Sequence, residues 1–173
     1  MKHDESGFTL VELMMVLVLT TLLLGIGATA LRHYWRVRAL NGARDTVVTQ
    51  MRFAQQRSFS ESFPTVYGVR FQKGSGNWSL VRYNDTAGTC VVVSHMSFDG
   101  VVISSLPSDT DFPEGTPASL CRNASPGGSA ANEVALFYPR GSASAGTVGI
   151  RSEHLDRTIK VGVNGTTGRV AAL

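Results

Sequence analysis

The chain has 173 residues, a length that fits about one domain. Its formal net charge is +3, and the excess lies in six arginines between residues 32 and 57. From Pro64 onward nine Lys or Arg stand against eight Asp or Glu. A part of the chain so close to neutral has no charge excess that would by itself indicate a nucleic-acid surface.

An apolar run occupies the N-terminal part of the chain as far as Leu31, and Glu12 is its only charged side chain. As a helix rising about 1.5 Å per residue, the run covers roughly the hydrocarbon thickness of a bilayer. An ionisable group at the bilayer centre costs on the order of 2.5–3.5 kcal/mol, so it marks a partner or a function. Cleavage before Phe8 would leave an α-amine within a turn or so of Glu12, and the amine of one subunit could pair with the acid of its neighbour.

The sequence Gly7-Phe8-Thr9-Leu10-Val11-Glu12 and the apolar helix after it resemble the class III signal of type IV prepilins and type II secretion pseudopilins. The resemblance implies that a prepilin peptidase cuts between Gly7 and Phe8 and methylates the new N-terminal Phe8. It implies that Glu12 guides docking onto the N-terminal helices of other pilins or pseudopilins, and that an inner-membrane platform assembles them. The alternative is an ordinary membrane anchor with an incidental glutamate.

The helix is predicted to continue beyond the membrane span. Apolar residues recur there at three- and four-residue steps, at Val37, Leu40, Ala43, Val47, Met51 and Ala54. Pro64 disfavours helix at Phe63, so the helix is predicted to end near Ser62. Residues 1–7 are then the leader, 8–31 the transmembrane half of the helix and 32–63 its amphipathic half.

Residues 64–173 are predicted to form a β-rich head. Segments rich in β-branched and aromatic residues alternate with Gly, Asn, Asp and Ser clusters, which predicts antiparallel strands. These segments are 65–71, 78–83, 90–94, 101–104, 133–138, 147–151, 158–163 and 169–172. The stretch 106–132, rich in Pro, Gly and Ser, is predicted to be a long surface loop.

Cys90 and Cys121 are the only two cysteines, and both fall in the head. An even pair in an exported domain favours a disulfide, which would tie the predicted loop back to the strands. The alternative is a pair of buried free thiols.

The charges beside the membrane span and the resemblance to prepilins predict opposite orientations of the chain in the membrane. The leader offers one lysine against two acids, whereas Arg32, Arg36 and Arg38 follow the span, so charge alone would put the C-terminal side in the cytoplasm. The resemblance implies the opposite arrangement. We therefore expect a single pass through the bacterial inner membrane with a periplasmic head, followed by incorporation into a pilus or pseudopilus.

The C-terminal part carries a second resemblance. The stretch 136–143, the strands at 147–150 and 159–163 and the closing residues 167–170 resemble the tail of the FimT/GspH group of minor pilins and minor pseudopilins. The implied fold is α+β and pilin-like, a long N-terminal helix with a C-terminal antiparallel β-sheet head. Generic hairpins with glycine turns are the alternative for this tail.

The sequence holds no recognisable pattern for catalysis or metal binding. Its four histidines stand apart without a His-Glu-x-x-His pair, and no serine lies in Gly-x-Ser-x-Gly. We therefore predict a structural subunit, with no enzymatic activity, no metal and no cofactor.

DNA capture is the rival function. Some FimT-like minor pilins involved in transformation carry Gly-Arg-x-Arg near the C-terminus, and here Gly168-Arg169-Val170-Ala171 lacks the second arginine. Five basic residues would give a weak phosphate contact if they shared a face: Arg140, Arg151, Arg157, Lys160 and Arg169. Such scattered charges more often solubilise a strand edge, so DNA binding is not favoured. A membrane-tethered binding module that does not polymerise is the third reading.

Overall fold

The computed structural model describes residues 9–61, 63–104, 116–129 and 131–173. Its elements are α1 (Leu10–Glu61), β1 (Thr65–Gln72), β2 (Asn77–Asn84), β3 (Thr89–Ser97), β4 (Val101–Ile103), α2 (Thr116–Asn123), β5 (Asn132–Phe137), β6 (Gly146–Ser152), β7 (Thr158–Val163) and β8 (Val170–Ala172). The chain divides into two units, Met1–Trp35 and Arg36–Leu173, which are taken separately. The predicted α+β fold is confirmed.

The second unit contains two four-stranded antiparallel sheets. Sheet I has the order β3-β2-β1-β5, and sheet II has the order β4-β6-β7-β8. In sheet I, β1 is central and pairs through Gly68 with Val81 of β2 and with Leu136 of β5. In sheet II, β6 and β7 pair through Val148 and Val161. The strands of both sheets form in the predicted segments, which are rich in β-branched and aromatic residues and are separated by turns.

One core joins α1 to both sheets. The helix buries a single stripe at the predicted spacing, at Leu40, Ala43, Val47, Met51, Ala54 and Ser58. Against this stripe lie Val69 and Phe71 from sheet I together with Val148 and Ile150 from sheet II. Because side chains alternate along a strand, the neighbours of Val69 and Phe71 point to the other face of sheet I.

That other face of sheet I is covered by α2, which corrects the predicted loop. The prediction for 106–132 was wrong over Thr116–Asn123, which is helical, and at Asn132, which begins β5; residues 105–115 and 130 lie outside the described residues. Pro117 sits in the first turn of α2, where a missing N–H costs no hydrogen bond. The helix is held by its position on the sheet, since Ala118 and Cys121 are buried against Val134 and Leu136.

A buried arginine secures the end of α2. Arg70 of β1 is 2% exposed and donates to the carbonyls of Cys121, Ala124 and Pro126 and to the Ser79 hydroxyl. The partial negative charge at the C-terminal end of a helix suits such a cation. Burial lowers the pKa of Arg70, yet the hydrogen bonds leave this guanidinium well satisfied.

The C-terminal end of α1 is tied to β1 by a carboxylate. The Tyr67 hydroxyl donates to Glu61 Oε1 at 2.7 Å, and Arg57 Nη1 donates to the same oxygen at 3.0 Å. The hydrogen bond from Tyr67, followed by Arg57, lowers the pKa of Glu61 below its ordinary value of 4.5, although partial burial opposes this.

This contact predicts a specific acid sensitivity. A carboxylate with a depressed folded-state pKa stabilises the fold above its unfolded pKa, and that stability is lost as the pH falls through the folded pKa. We expect the free energy of unfolding to fall on acidification below about pH 4.5, and Tyr67→Phe to flatten this decline. Denaturant titrations at a series of pH values measure both. An unchanged pH profile in Tyr67→Phe would contradict the assignment.

Candidate functional site

The site that the sequence singles out begins at the first turn of α1. Thr9 precedes the helix, and the Glu12 backbone N–H donates to Thr9 Oγ1 at 3.3 Å. The Leu13 N–H donates to the Thr9 carbonyl at 3.2 Å. A threonine followed three residues later by glutamate has the spacing of a capping box, and the acid lies near the positive end of the helix dipole. The Thr9 cap was missed from the sequence, although the Thr-x-x-Glu spacing was a signal for it.

The predicted processing residues Gly7 and Phe8 lie outside the described residues. The structure therefore gives the position of Glu12 but no geometry for a terminal amine beside it. The Glu12 side chain itself is exposed on the helix surface.

Apolar side chains cover the surface of α1 in the first unit. Large residues from Leu10, 75% exposed, to Leu31, 55% exposed, are uncovered by the rest of the chain. By length and composition, α1 contains a stretch able to cross a membrane. A soluble surface rarely exposes so large a continuous apolar area, so this helix needs lipid or other helices around it.

The few hydroxyl groups in this apolar stretch are satisfied within the helix. Thr20, Thr21 and Thr29 donate to backbone carbonyls three or four residues earlier, at 2.6–2.9 Å. Such internal bonds suit a helix surrounded by hydrocarbon, where unsatisfied polar groups are expensive. Glu12 thus remains the one ionisable group on the apolar surface of the described run.

The predicted disulfide pair is joined in the structure. Cys90 on β3 and Cys121 on α2 form a disulfide, with their Cα atoms 5.1 Å apart. The bond is part of the packing of α2 on sheet I and lies far along the chain from Glu12. Its role is therefore in the architecture of the second unit.

The five candidate DNA contacts do not form one cluster. Arg151 and Lys160 lie on neighbouring strands of the outer face of sheet II, since Arg151 pairs with Thr158 and Gly149 with Lys160. Arg169 lies just before β8, beside Thr147 and Gly162 of the same face. Arg140 lies in a turn, and Arg157 lies in the connection between β6 and β7. The strand register that brings Arg151 and Lys160 onto one face is a tertiary feature without a sequence signal.

Part of this basic face is neutralised. Arg151 Nη2 forms an ion pair with Asp156 Oδ1 at 3.3 Å, and both side chains are more than half exposed. Exposed pairs of this kind contribute little stability. The face therefore has a modest positive charge in place of the continuous basic groove that phosphate binding favours.

Among the described residues, no group of three or more His, Cys, Asp or Glu side chains could hold a metal ion. His95 lies next to Ser79, with Nδ1 2.9 Å from the hydroxyl oxygen. That hydroxyl is also within hydrogen-bond distance of Arg70, so the contact belongs to the anchoring of α2.

Comparison with known proteins gives two matches, which cover different shares of the chain. The family described as the prokaryotic N-terminal methylation motif matches residues 2–28. Among solved structures, the minor pseudopilin EpsH from the type 2 secretion system of Vibrio cholerae superposes with a TM-score of 0.51 at 12% sequence identity, covering 78% of this chain and 95% of EpsH. A comparison with curated protein sequences finds no match.

The match over residues 2–28 places the methylation motif at the N-terminal part of the chain. The fold is similar to that of the minor pseudopilin EpsH. The predicted resemblance to pilins and pseudopilins is confirmed at the level of motif and fold.

Proposed function

We propose that this chain is a structural minor pilin or pseudopilin subunit that assembles through α1 and catalyses no reaction. In this proposal a prepilin peptidase cuts between Gly7 and Phe8 and methylates the Phe8 amine. The subunit stays in the inner membrane, with its C-terminal unit in the periplasm, until an assembly platform extracts it. The exposed apolar surface of α1 then packs against the helices of other subunits.

The observation that carries this proposal is Glu12, a lone acid in the first turn of α1, within a stretch as far as Leu31 whose large apolar side chains are exposed. A carboxylate surrounded by hydrocarbon or apolar helices needs a cationic partner. A processed Phe8 amine on a neighbouring subunit is such a partner, and it exists only after cleavage. The pair would set the axial position of one helix against the next.

The choice between a secretion pseudopilus and a type IV pilus rests on the similarity of fold alone. EpsH is a minor pseudopilin of a type 2 secretion system, which favours a secretion pseudopilus over a type IV pilus for this chain. Co-purification of neighbouring subunits from the native cell would distinguish the two.

Mass spectrometry tests the processing step. Produced together with a prepilin peptidase, the chain is expected to lose residues 1–7 and to gain one methyl group on Phe8. A chain recovered intact, with its first methionine, from its native membrane would contradict the proposal.

The docking role predicts a charge effect at Glu12. Because the proposed pair is lost, Glu12→Gln and Glu12→Ala should each reduce incorporation into the filament at least about tenfold, which corresponds to 1.4 kcal/mol or more. Crosslinking to other pilin-type subunits, normalised to the amount in the membrane, measures the effect.

Two comparisons make this test specific. Gln can take the place of Glu in a capping box. If Glu12 served only to cap α1, Glu12→Gln would be incorporated normally. Glu12→Asp keeps the charge and should assemble better than Glu12→Gln. Absence of crosslinks even from the wild-type chain would favour the tethered module that does not polymerise.

DNA capture is kept as a second candidate because Arg151, Lys160 and Arg169 share the outer face of sheet II. A gel shift of the detergent-solubilised protein at low salt should show binding that weakens in the triple Gln variant of these residues. No shift at low salt would remove this candidate and leave the structural role untouched.

A further inference from the structure

The first unit ends in two large aromatic side chains that stay exposed. Tyr34 is 54% exposed and Trp35 is 57% exposed. Their rings meet edge to face with centroids 5.9 Å apart. The other tryptophan, Trp78, is 2% exposed in the core of the second unit. The contrast calls for a different environment around Trp35.

The position of the pair along α1 identifies that environment. Tyr34 and Trp35 come three and four residues after Leu31, where the apolar run ends. Tyr and Trp have an apolar ring and a polar O–H or N–H, and they concentrate where hydrocarbon meets headgroups. A helix that crosses a bilayer through its apolar run places these two rings at that boundary.

The charges around the pair are all positive. Arg32 precedes the aromatics, and Arg36 and Arg38 follow them in the sequence. The next acid after Glu12 in the sequence is Asp45, so residues 32–38 include no Asp or Glu. Each arginine held close to an anionic membrane surface strengthens association about fivefold.

We propose that the segment 32–35, which we call the interfacial segment, together with Arg36 and Arg38 binds the headgroups of anionic phospholipids. The aromatic rings fix the depth of α1, and the guanidinium groups bind lipid phosphates at the membrane surface. This inference rests on the membrane anchoring in the proposed function. It also accounts for arginines on the side of the span that charge rules for topology disfavour, because lipid phosphates neutralise them.

Tryptophan quenching in nanodiscs tests the proposal on the full chain. Phosphatidylcholine discs receive a small, equal fraction of brominated phosphatidylglycerol or brominated phosphatidylcholine. We expect the anionic quencher to reduce Trp35 emission at least about twofold more than the neutral one, with a difference that shrinks at high salt. Bromine near the headgroup end of the chains should quench more than bromine near the methyl end.

Three variants isolate the source of the effect. Trp35→Phe keeps an aromatic ring and removes the fluorophore, so the quenching that remains comes from Trp78. Replacing Arg32, Arg36 and Arg38 by Gln should abolish the preference for the anionic quencher. The matched triple variant of Arg140, Arg157 and Arg169 removes the same charge elsewhere and should leave the preference intact.

The outcomes separate this proposal from the assembly role. Equal quenching by both lipids, or deeper bromine quenching more strongly, overturns lipid binding by the interfacial segment even if Glu12 behaves as expected. Loss of Trp35 quenching by every lipid overturns the anchoring on which both proposals rest. A preference that survives in the Arg32, Arg36 and Arg38 variant also contradicts the assignment.

Discussion

Removing the disulfide by the double substitution Cys90→Ala and Cys121→Ala is expected to lower the free energy of unfolding of the second unit by about 3–4 kcal/mol. The bond closes a loop with a sequence separation of 31 residues. In the chain-entropy description, its loss restores that conformational freedom to the unfolded chain. Urea titration of the protein in detergent, followed by Trp78 emission, measures the change.

The loss of stability should be greatest in α2. This helix has eight residues, too short to persist in water without tertiary contacts. From Pro117 to Asn123 it buries only Ala118, Cys121 and Arg122. Hydrogen exchange of its amides is therefore expected to accelerate in the variant more than that of β1. Reductant added to the wild type should reproduce the effect, and it should leave the double variant unchanged. Equal stability of the oxidised wild type and the variant would contradict the prediction.

Phe71→Ala is expected to destabilise the second unit by about 3–5 kcal/mol. Phe71 is fully buried in the core shared by α1 and both sheets. Truncation removes the apolar contacts of the ring and leaves a cavity that a close-packed core fills only in part. Urea titration and thermal melting of the detergent-solubilised protein both report the loss.

A matched substitution controls for loss of apolar volume. Val91 lies on β3 and is 50% exposed, so Val91→Ala should change the free energy of unfolding by about 0.5 kcal/mol or less. Phe71→Leu should fall between the two, because it keeps much of the apolar volume. A small effect of Phe71→Ala would mean that α1 does not pack on sheet I as described.

The sequence predicted most elements of this fold because their patterns are local. The stripe from Leu40 to Ala54 has the helical period, and Pro64 limits where α1 can end. Alternating β-branched residues gave all eight strands, although β3 extends to Ser97, beyond the predicted 94. Backbone pairing with β2 adds those three residues, from Ser79 opposite His95 to Asn77 opposite Ser97.

The features that the sequence did not predict are those whose local structure depends on a contact with a distant part of the chain. The segment Thr116–Asn123 has Pro, Ser and Asn, and its helix exists because sheet I, the disulfide and Arg70 support it. Arg70 itself looks like an ordinary strand arginine in the sequence. Its role follows from the carbonyl groups that α2 presents to it, more than fifty residues away.

The sequence by itself determined the prepilin-type N-terminal motif, the apolar helix with its single acid at Glu12, and the alternation that makes a β-rich C-terminal part. These properties depend on side-chain chemistry and on periods of a few residues. Only the tertiary structure decided that two sheets share one core with α1, that α2 covers sheet I, and that Arg151, Lys160 and Arg169 lie on one face. Strand register and long-range packing fix these arrangements, because they depend on which segments pair and not on what each segment contains.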